Sequence, residues 1–154
     1  LGEQACWAVG NIAGDSDDCR MTMVNNGAVL PLMKFLFDSV NGIEESVGVA
    51  FNEAAMIQAQ TAAWSLSNLT RGSTPAAVFL ETGMIPFLIS LIGHPSVTLA
   101  IESWWIFTFL TAKDDIAVQQ LLDMGRSGFK GSLVVIIRQN IYRWAHDWWM
   151  VTRY

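Results

Sequence analysis

Two tryptophans are each followed four residues later by an asparagine, Trp7 by Asn11 and Trp64 by Asn68. On a helix, residues four apart share a face, so each pair would stand side by side. Asn offers two donors and an acceptor, enough to hold a peptide's own N–H and C=O. Trp offers a flat apolar face, against which a cation gains about 0.5–2 kcal/mol. Asp15 lies four residues beyond Asn11, near the end of the same face, where a carboxylate would meet a charged tip. Together these groups suit an extended Lys/Arg-rich peptide. The plainer reading is that a Trp at helical spacing belongs to a core. Against it, Asn is a weak former of mid-helix structure, and its return at a matching position calls for a use.

The elements that must carry these pairs repeat along the chain. The tract from Glu3 to Asp15 is echoed by Gln60 to Arg71 and again by Glu102 to Leu110, where Trp105 is followed four residues later by Phe109. Between them Gly27-Ala28-Val29-Leu30-Pro31-Leu32 is echoed by Gly83-Met84-Ile85-Pro86-Phe87-Leu88. A spacing near 42 residues is that of helical solenoid repeats of the HEAT and armadillo kind. The first interval is longer by about 14 residues, which predicts an insertion within 38–58, as an enlarged loop near Asn41-Gly42.

Each unit reads as three helices. One runs from Asp17 toward Asn26 and stops at Gly27; one covers 29–37 with Pro31 in its first turn, where a missing N–H costs little; a longer third carries the Trp. The order recurs as 75–82, 85–92 and 97–111, and begins again at 114–124. No segment shows the strict alternation of a half-buried strand. The fold class is therefore all-α, a helical solenoid of the HEAT or armadillo kind with three helices per unit. Residues 1–125 form the repeats, with a partial first unit, and 126–154 are a diverged or terminal segment.

Composition limits the alternatives. At 154 residues the chain allows one domain, and 52% apolar against 15% charged residues excludes a disordered protein. Residues 1–112 hold ten acids and three bases, a balance of −7. Such a body does not suit nucleic acid and does suit a cationic ligand. Residues 82–101 contain no Asp, Glu, Lys or Arg, but Pro86 and Gly93-His94-Pro95 break them into pieces too short for a bilayer. Two short buried helices are expected there, with no membrane partner. Cys6 and Cys19 make neither a disulfide framework nor a zinc spacing, and a reduced compartment is expected. Asp15, Asp17 and Asp18 lack the Gly and Glu of a calcium loop; Asp15 or Asp17 is expected to cap the next helix. With only His94 and His146 as imidazoles, the sequence offers no catalytic constellation, no metal site and no cofactor box. The chain opens in mid-pattern without Met and reads as a fragment.

The tract Gln4-Ala5-Cys6-Trp7-Ala8-Val9-Gly10-Asn11-Ile12-Ala13-Gly14-Asp15 resembles, almost throughout, the third helix of the second repeat in the importin-alpha family, the armadillo adaptors that carry nuclear localisation signals. Trp64-Ser65-Leu66-Ser67-Asn68-Leu69-Thr70-Arg71 resembles that of the third repeat, and Trp105 to Leu110 that of the fourth, where the family often has an aromatic in place of Asn, as Phe109 is here. The resemblance covers about residues 1–125, armadillo repeats about two to five, and implies an armadillo-repeat right-handed superhelical solenoid with three helices per repeat. It implies a nuclear import adaptor of cytoplasm and nucleus that holds basic localisation signals in a concave groove. Trp7, Asn11, Trp64, Asn68 and Trp105 would form the peptide-binding array. Asp15 would take the ammonium of the key lysine, and Gln4 and Gly14 would line its pocket. Glu102 matches an acidic position near the groove, with Arg71 close by. Importin-beta would be a partner only through a basic segment that this sequence does not contain.

The sequence departs from the family at the enlarged segment after residue 38, at Thr61 where Asn is usual, at Phe109, and from Arg126 onward. Two further readings therefore stand beside the first: an armadillo scaffold for other proteins, and a degenerate relative that no longer binds cargo.

Overall fold

The computed structural model describes residues 2–44 and 52–113, together with 115, 118, 119 and 123. Among the described residues seven helices follow one another: α1 Gly2–Asp15, α2 Asp17–Asn25, α3 Val29–Glu44, α4 Glu53–Thr70, α5 Ala77–Leu80, α6 Ile85–Leu91 and α7 Val97–Thr111. No strand occurs among the described residues. The helices α2, α3 and α4 make one three-helix unit, α5, α6 and α7 the next, and α1 is the third helix of the unit before. The fold is an all-α armadillo solenoid.

The stops are local chemistry. Gly27 and Gly83 stand at φ +76° and +70°, the left-handed conformation that ends a helix at little cost to glycine. Gly27 and Ala28 donate back to the carbonyls of Val24 and Met23, closing α2. Ser16 caps the start of α2, its Oγ accepting the Cys19 N–H at 3.2 Å. The expected Asp cap is not found: Asp15 ends α1 and Asp17 is the first residue of α2, so the capping position between them falls to Ser16, while Asp17 pairs with the side chain of Arg20. Asn52 caps α4, its Oδ1 accepting the Ala55 N–H at 3.0 Å.

Helix α4 is the central beam. It packs against α1, α3 and α7, and its small residues allow three neighbours to approach. Ala59, Ala62, Ala63, Leu66 and Leu69 are wholly buried. Around them close Met33 and Leu36 from α3, and Leu99, Ile106 and Leu110 from α7. Burial of this kind, at roughly 25 cal/mol per Å² of apolar surface, is what holds a solenoid unit to its neighbour.

One expectation is overturned. The pair Asn41-Gly42, predicted as a loop, lies inside α3, which continues to Glu44. Leu36, Val40 and Ile43 are buried at helical spacing and carry the apolar stripe through the turn-forming dipeptide. Tertiary burial has overridden local turn chemistry, and much of the extra length has gone into α3 and α4. The expectations for 126–154 fall outside the described residues.

Gly42 is thus a glycine in a helix interior. A Cβ there would meet Ala55 Cβ at an ordinary 3.7 Å. Gly42→Ala is expected to stabilise the protein by about 0.5–1 kcal/mol, read as a higher urea midpoint; a turn glycine at positive φ would lose stability instead.

Candidate functional site

Trp7 and Asn11 stand exposed on α1, with 57% of Trp7 open to solvent. Asp15, the last residue of α1, is exposed at the end of that helix. One of its carboxylate oxygens lies 3.8 Å from the half-buried Cys19 thiol, which donates to it. Gln4 is exposed near the start of α1. On α7, Trp105 is 50% exposed and stacks on Phe109, with ring centroids 5.6 Å apart and planes 19° from parallel. These two open indole rings stand on α1 and α7, two of the three Trp-bearing helices among the described residues.

The middle pair behaves differently. Trp64 on α4 is half-buried because its ring lies on Gly10 of α1. A Cβ at Gly10 would overlap that ring and come within 2.6 Å of Ser65 Oγ. Ser65, fully buried, reaches across to the Cys6 carbonyl at 2.7 Å. Asn68 is 8% exposed; its Nδ2 donates to the Gly10 carbonyl at 3.2 Å and its Oδ1 accepts from Arg71 at 3.4 Å. A Cβ on Gly14 would meet Asn68 Nδ2 at 3.4 Å, so Gly14 and Asn68 share one corner. By the amide inventory, Asn68 keeps one N–H and one oxygen lone pair beyond those two bonds. That is what one peptide unit requires.

Glu102 on α7 is half-buried and accepts the Ser67 hydroxyl at 2.6 Å, a charge-assisted length. Arg71 turns to Asn68. The structure therefore brings Gly14, Trp64, Asn68 and Arg71 together at the α1–α4 seam. It sets Trp7, Asn11 and Asp15 along one helix, and Glu102 and Trp105 on the next third helix, tied to α4 through Ser67.

Sequence reasoning missed Arg20, whose guanidinium is buried and whose Nε donates to the Asn68 carbonyl at 2.9 Å. A lone basic residue in an acidic tract, three beyond Asp17, was the available signal. It also missed Lys113, whose Nζ donates to the Gly72 carbonyl at 2.7 Å, beside an open cleft of about 470 Å³ lined by Thr74, Pro75, Ala77 and Phe109. Burial, and then the Arg20 charge, push the Lys113 ammonium below its usual range, while Asp17 opposes both. Burial likewise pushes the Cys6 thiol up to about 11, with Glu3 adding to it and its own backbone hydrogen bond opposing. No group of three or more His, Cys, Asp or Glu among the described residues is placed to hold a metal. No described helix is long and apolar enough to cross a membrane.

Two outcomes follow from this geometry. Gly10→Ala must displace the Trp64 ring; it is expected to cost about 1–3 kcal/mol as an overpacked contact and to shift tryptophan emission to the red, measured together in a denaturant titration. An alkylating reagent at pH 8 should modify Cys19 well before Cys6, because a raised pKa keeps the buried thiol protonated; peptide mass spectrometry over a time course reads the order.

Comparison with known proteins gives a consistent result. Importin subunit alpha-9 of Arabidopsis thaliana is 31% identical over 128 residues, covering 81% of this chain and 22% of that protein. Importin subunit alpha-1b of Oryza sativa subsp. japonica is 26% identical over 149 residues, covering 79% and 28%. The probable importin subunit alpha-A of Dictyostelium discoideum is 28% identical over 126 residues, covering 80% and 22%. No protein-family model matches the chain. The chain thus spans between 22% and 28% of the length of these curated relatives. Helix order, the repeated Trp-bearing third helices and these relatives agree that the chain is importin-alpha-like, with armadillo-type repeats.

Proposed function

We propose that this chain binds Lys/Arg-rich nuclear localisation signals in an extended conformation, as part of a nuclear import adaptor that works between cytoplasm and nucleus. The observation that carries this reading is the exposed row Trp7, Asn11 and Asp15 on α1, set beside Trp64 and Asn68 on α4. Lysine stems lie against the indole of Trp7, and the ammonium they carry is drawn to Asp15. Gly14 adjoins Asp15 at the end of α1, whereas Gln4 stands at the other end of that helix, three residues before Trp7, and so extends the row instead of lining the Asp15 pocket. Asn11 and the unspent valences of Asn68 take the peptide main chain. Trp105, Glu102 and Arg71 extend the surface toward α7. The balance of −7 over residues 1–112 adds a long-range attraction for a basic ligand. Importin-beta would be a partner only through a basic segment that these 154 residues do not contain.

The site has unequal strength along its length. Trp7 offers an open face, Trp64 a half-covered one, and at α7 the ring of Phe109 takes the place of an amide. Main-chain gripping is therefore concentrated at Asn11 and Asn68, and the Trp105 end contributes apolar contact.

A labelled Lys-rich peptide titrated into the chain should bind, and bind more weakly at higher salt because exposed charge pairs are screened. Asp15→Lys should weaken it more than about tenfold, the loss expected when a charge pair becomes a clash. Fluorescence anisotropy at two salt concentrations, with circular dichroism to verify folding, gives the answer. A folded chain that prefers a neutral or acidic peptide points instead to a scaffold for other partners. A folded chain that binds none points to a relative without cargo binding.

A further inference from the structure

Arg20 is 6% exposed and sits on α2, a helix that carries none of the proposed peptide-contacting residues. A guanidinium so deeply placed must be fully matched to be tolerated. Its Nε donates to the main-chain carbonyl of Asn68 at 2.9 Å. Its NH1 pairs with the Asp17 carboxylate, whose other oxygen accepts the Ser73 N–H at 3.3 Å. Gly72, at φ +58°, lies directly on this ion pair: a Cβ there would overlap Asp17 and come within 2.5 Å of Arg20 NH1. From the far side Lys113 Nζ holds the Gly72 carbonyl at 2.7 Å. The last turn of α4 and the turn that follows it are therefore fixed from α2 and from the end of α7. The residue in the middle of that clamp is Asn68, whose side chain is fixed separately by Gly10 and Arg71.

We infer that Arg20 is a positioning residue for the peptide groove: by holding the Asn68 carbonyl from behind, it sets the backbone from which the Asn68 amide reaches the ligand. The inference rests on the proposed groove, since Arg20 itself touches no ligand. A residue that only stabilised the fold would lower the melting temperature and leave the affinity of each folded molecule unchanged. Arg20 acts through one neighbour, so its effect on binding must vanish when that neighbour's amide is gone.

The test is a double-mutant cycle of Arg20→Met and Asn68→Ala, read by calorimetric titration with the Lys-rich peptide well below each variant's melting temperature. Arg20→Met is expected to weaken the peptide about fivefold, the scale of one lost hydrogen bond, and to weaken it no further once Asn68 is Ala. In the free protein, the side-chain amide resonances of Asn68 should shift in Arg20→Met. If Arg20→Met does not fold, Asp17→Asn serves in its place: Asp17 has a side chain 52% exposed, and its neutralisation loosens the guanidinium while leaving a hydrogen-bond acceptor. The expected loss is then about twofold, again absent in the Asn68→Ala background. Wild-type affinity in a folded Arg20→Met, or an equal loss in both backgrounds, overturns the inference. A wild-type chain that binds no basic peptide overturns the groove reading instead, and the Asn68 resonances then report on Arg20 alone.

Discussion

The close approach of α1 and α4 at Gly10 governs the architecture of the site. Only a residue without a side chain lets the Trp64 ring settle on the α1 backbone, and that approach brings Ser65 to the Cys6 carbonyl and Asn68 to the Gly10 carbonyl. Three successive contacts of α4 thus land on one helix face of α1, two of them as hydrogen bonds to backbone. Buried polar groups are tolerated when paired, and here the pairing is what registers one repeat against the next. The same small-residue logic extends along α4, where Ala55, Ala59, Ala62 and Ala63 let α3 and α7 close in.

Most of the helix order was legible in the sequence. Gly27 and Gly83 stand at positive φ as helix stops should, the break at Gly93-His94-Pro95 precedes α7, and α7 itself spans the tract read from its Trp. The exceptions have physical causes. Asn41-Gly42 is turn chemistry in isolation, but Val40 and Ile43 gain more from burial than the dipeptide gains from turning. Ser16 caps α2 because α1 runs on to Asp15 and α2 begins at Asp17, leaving Ser16 as the one residue between them, a boundary that linear spacing does not reveal. Arg20 itself was hidden because its partner is a main-chain carbonyl 48 residues away.

The candidate site was readable as residue types and less so as exposure. Spacing put Trp7–Asn11 and Trp64–Asn68 on equal terms. The structure sets Trp7 and Asn11 out in solvent and draws Trp64 and Asn68 into the seam. The difference arises from neighbours: α4 has a third helix on both sides, while among the described residues α1 has one only on the α4 side. Periodicity within one helix cannot report which of its faces a later repeat will cover. The stacking of Phe109 on Trp105 was likewise implicit in their four-residue spacing and became visible only as a geometry.

The two seams of α4 are built from different kinds of bond, and this gives them different compliance. Against α1, side chains of α4 grip main-chain carbonyls, which cannot swing away without deforming a helix. Against α7 the ties run from side chain to side chain, Ser67 to Glu102 at 2.6 Å and Gln60 to Ser96 at 3.3 Å, with Lys113 catching the Gly72 carbonyl only at the far end. Rotamers can absorb a shear that carbonyls cannot. On that footing a shear between repeats would be taken up more readily at the α4–α7 seam than between α1 and α4.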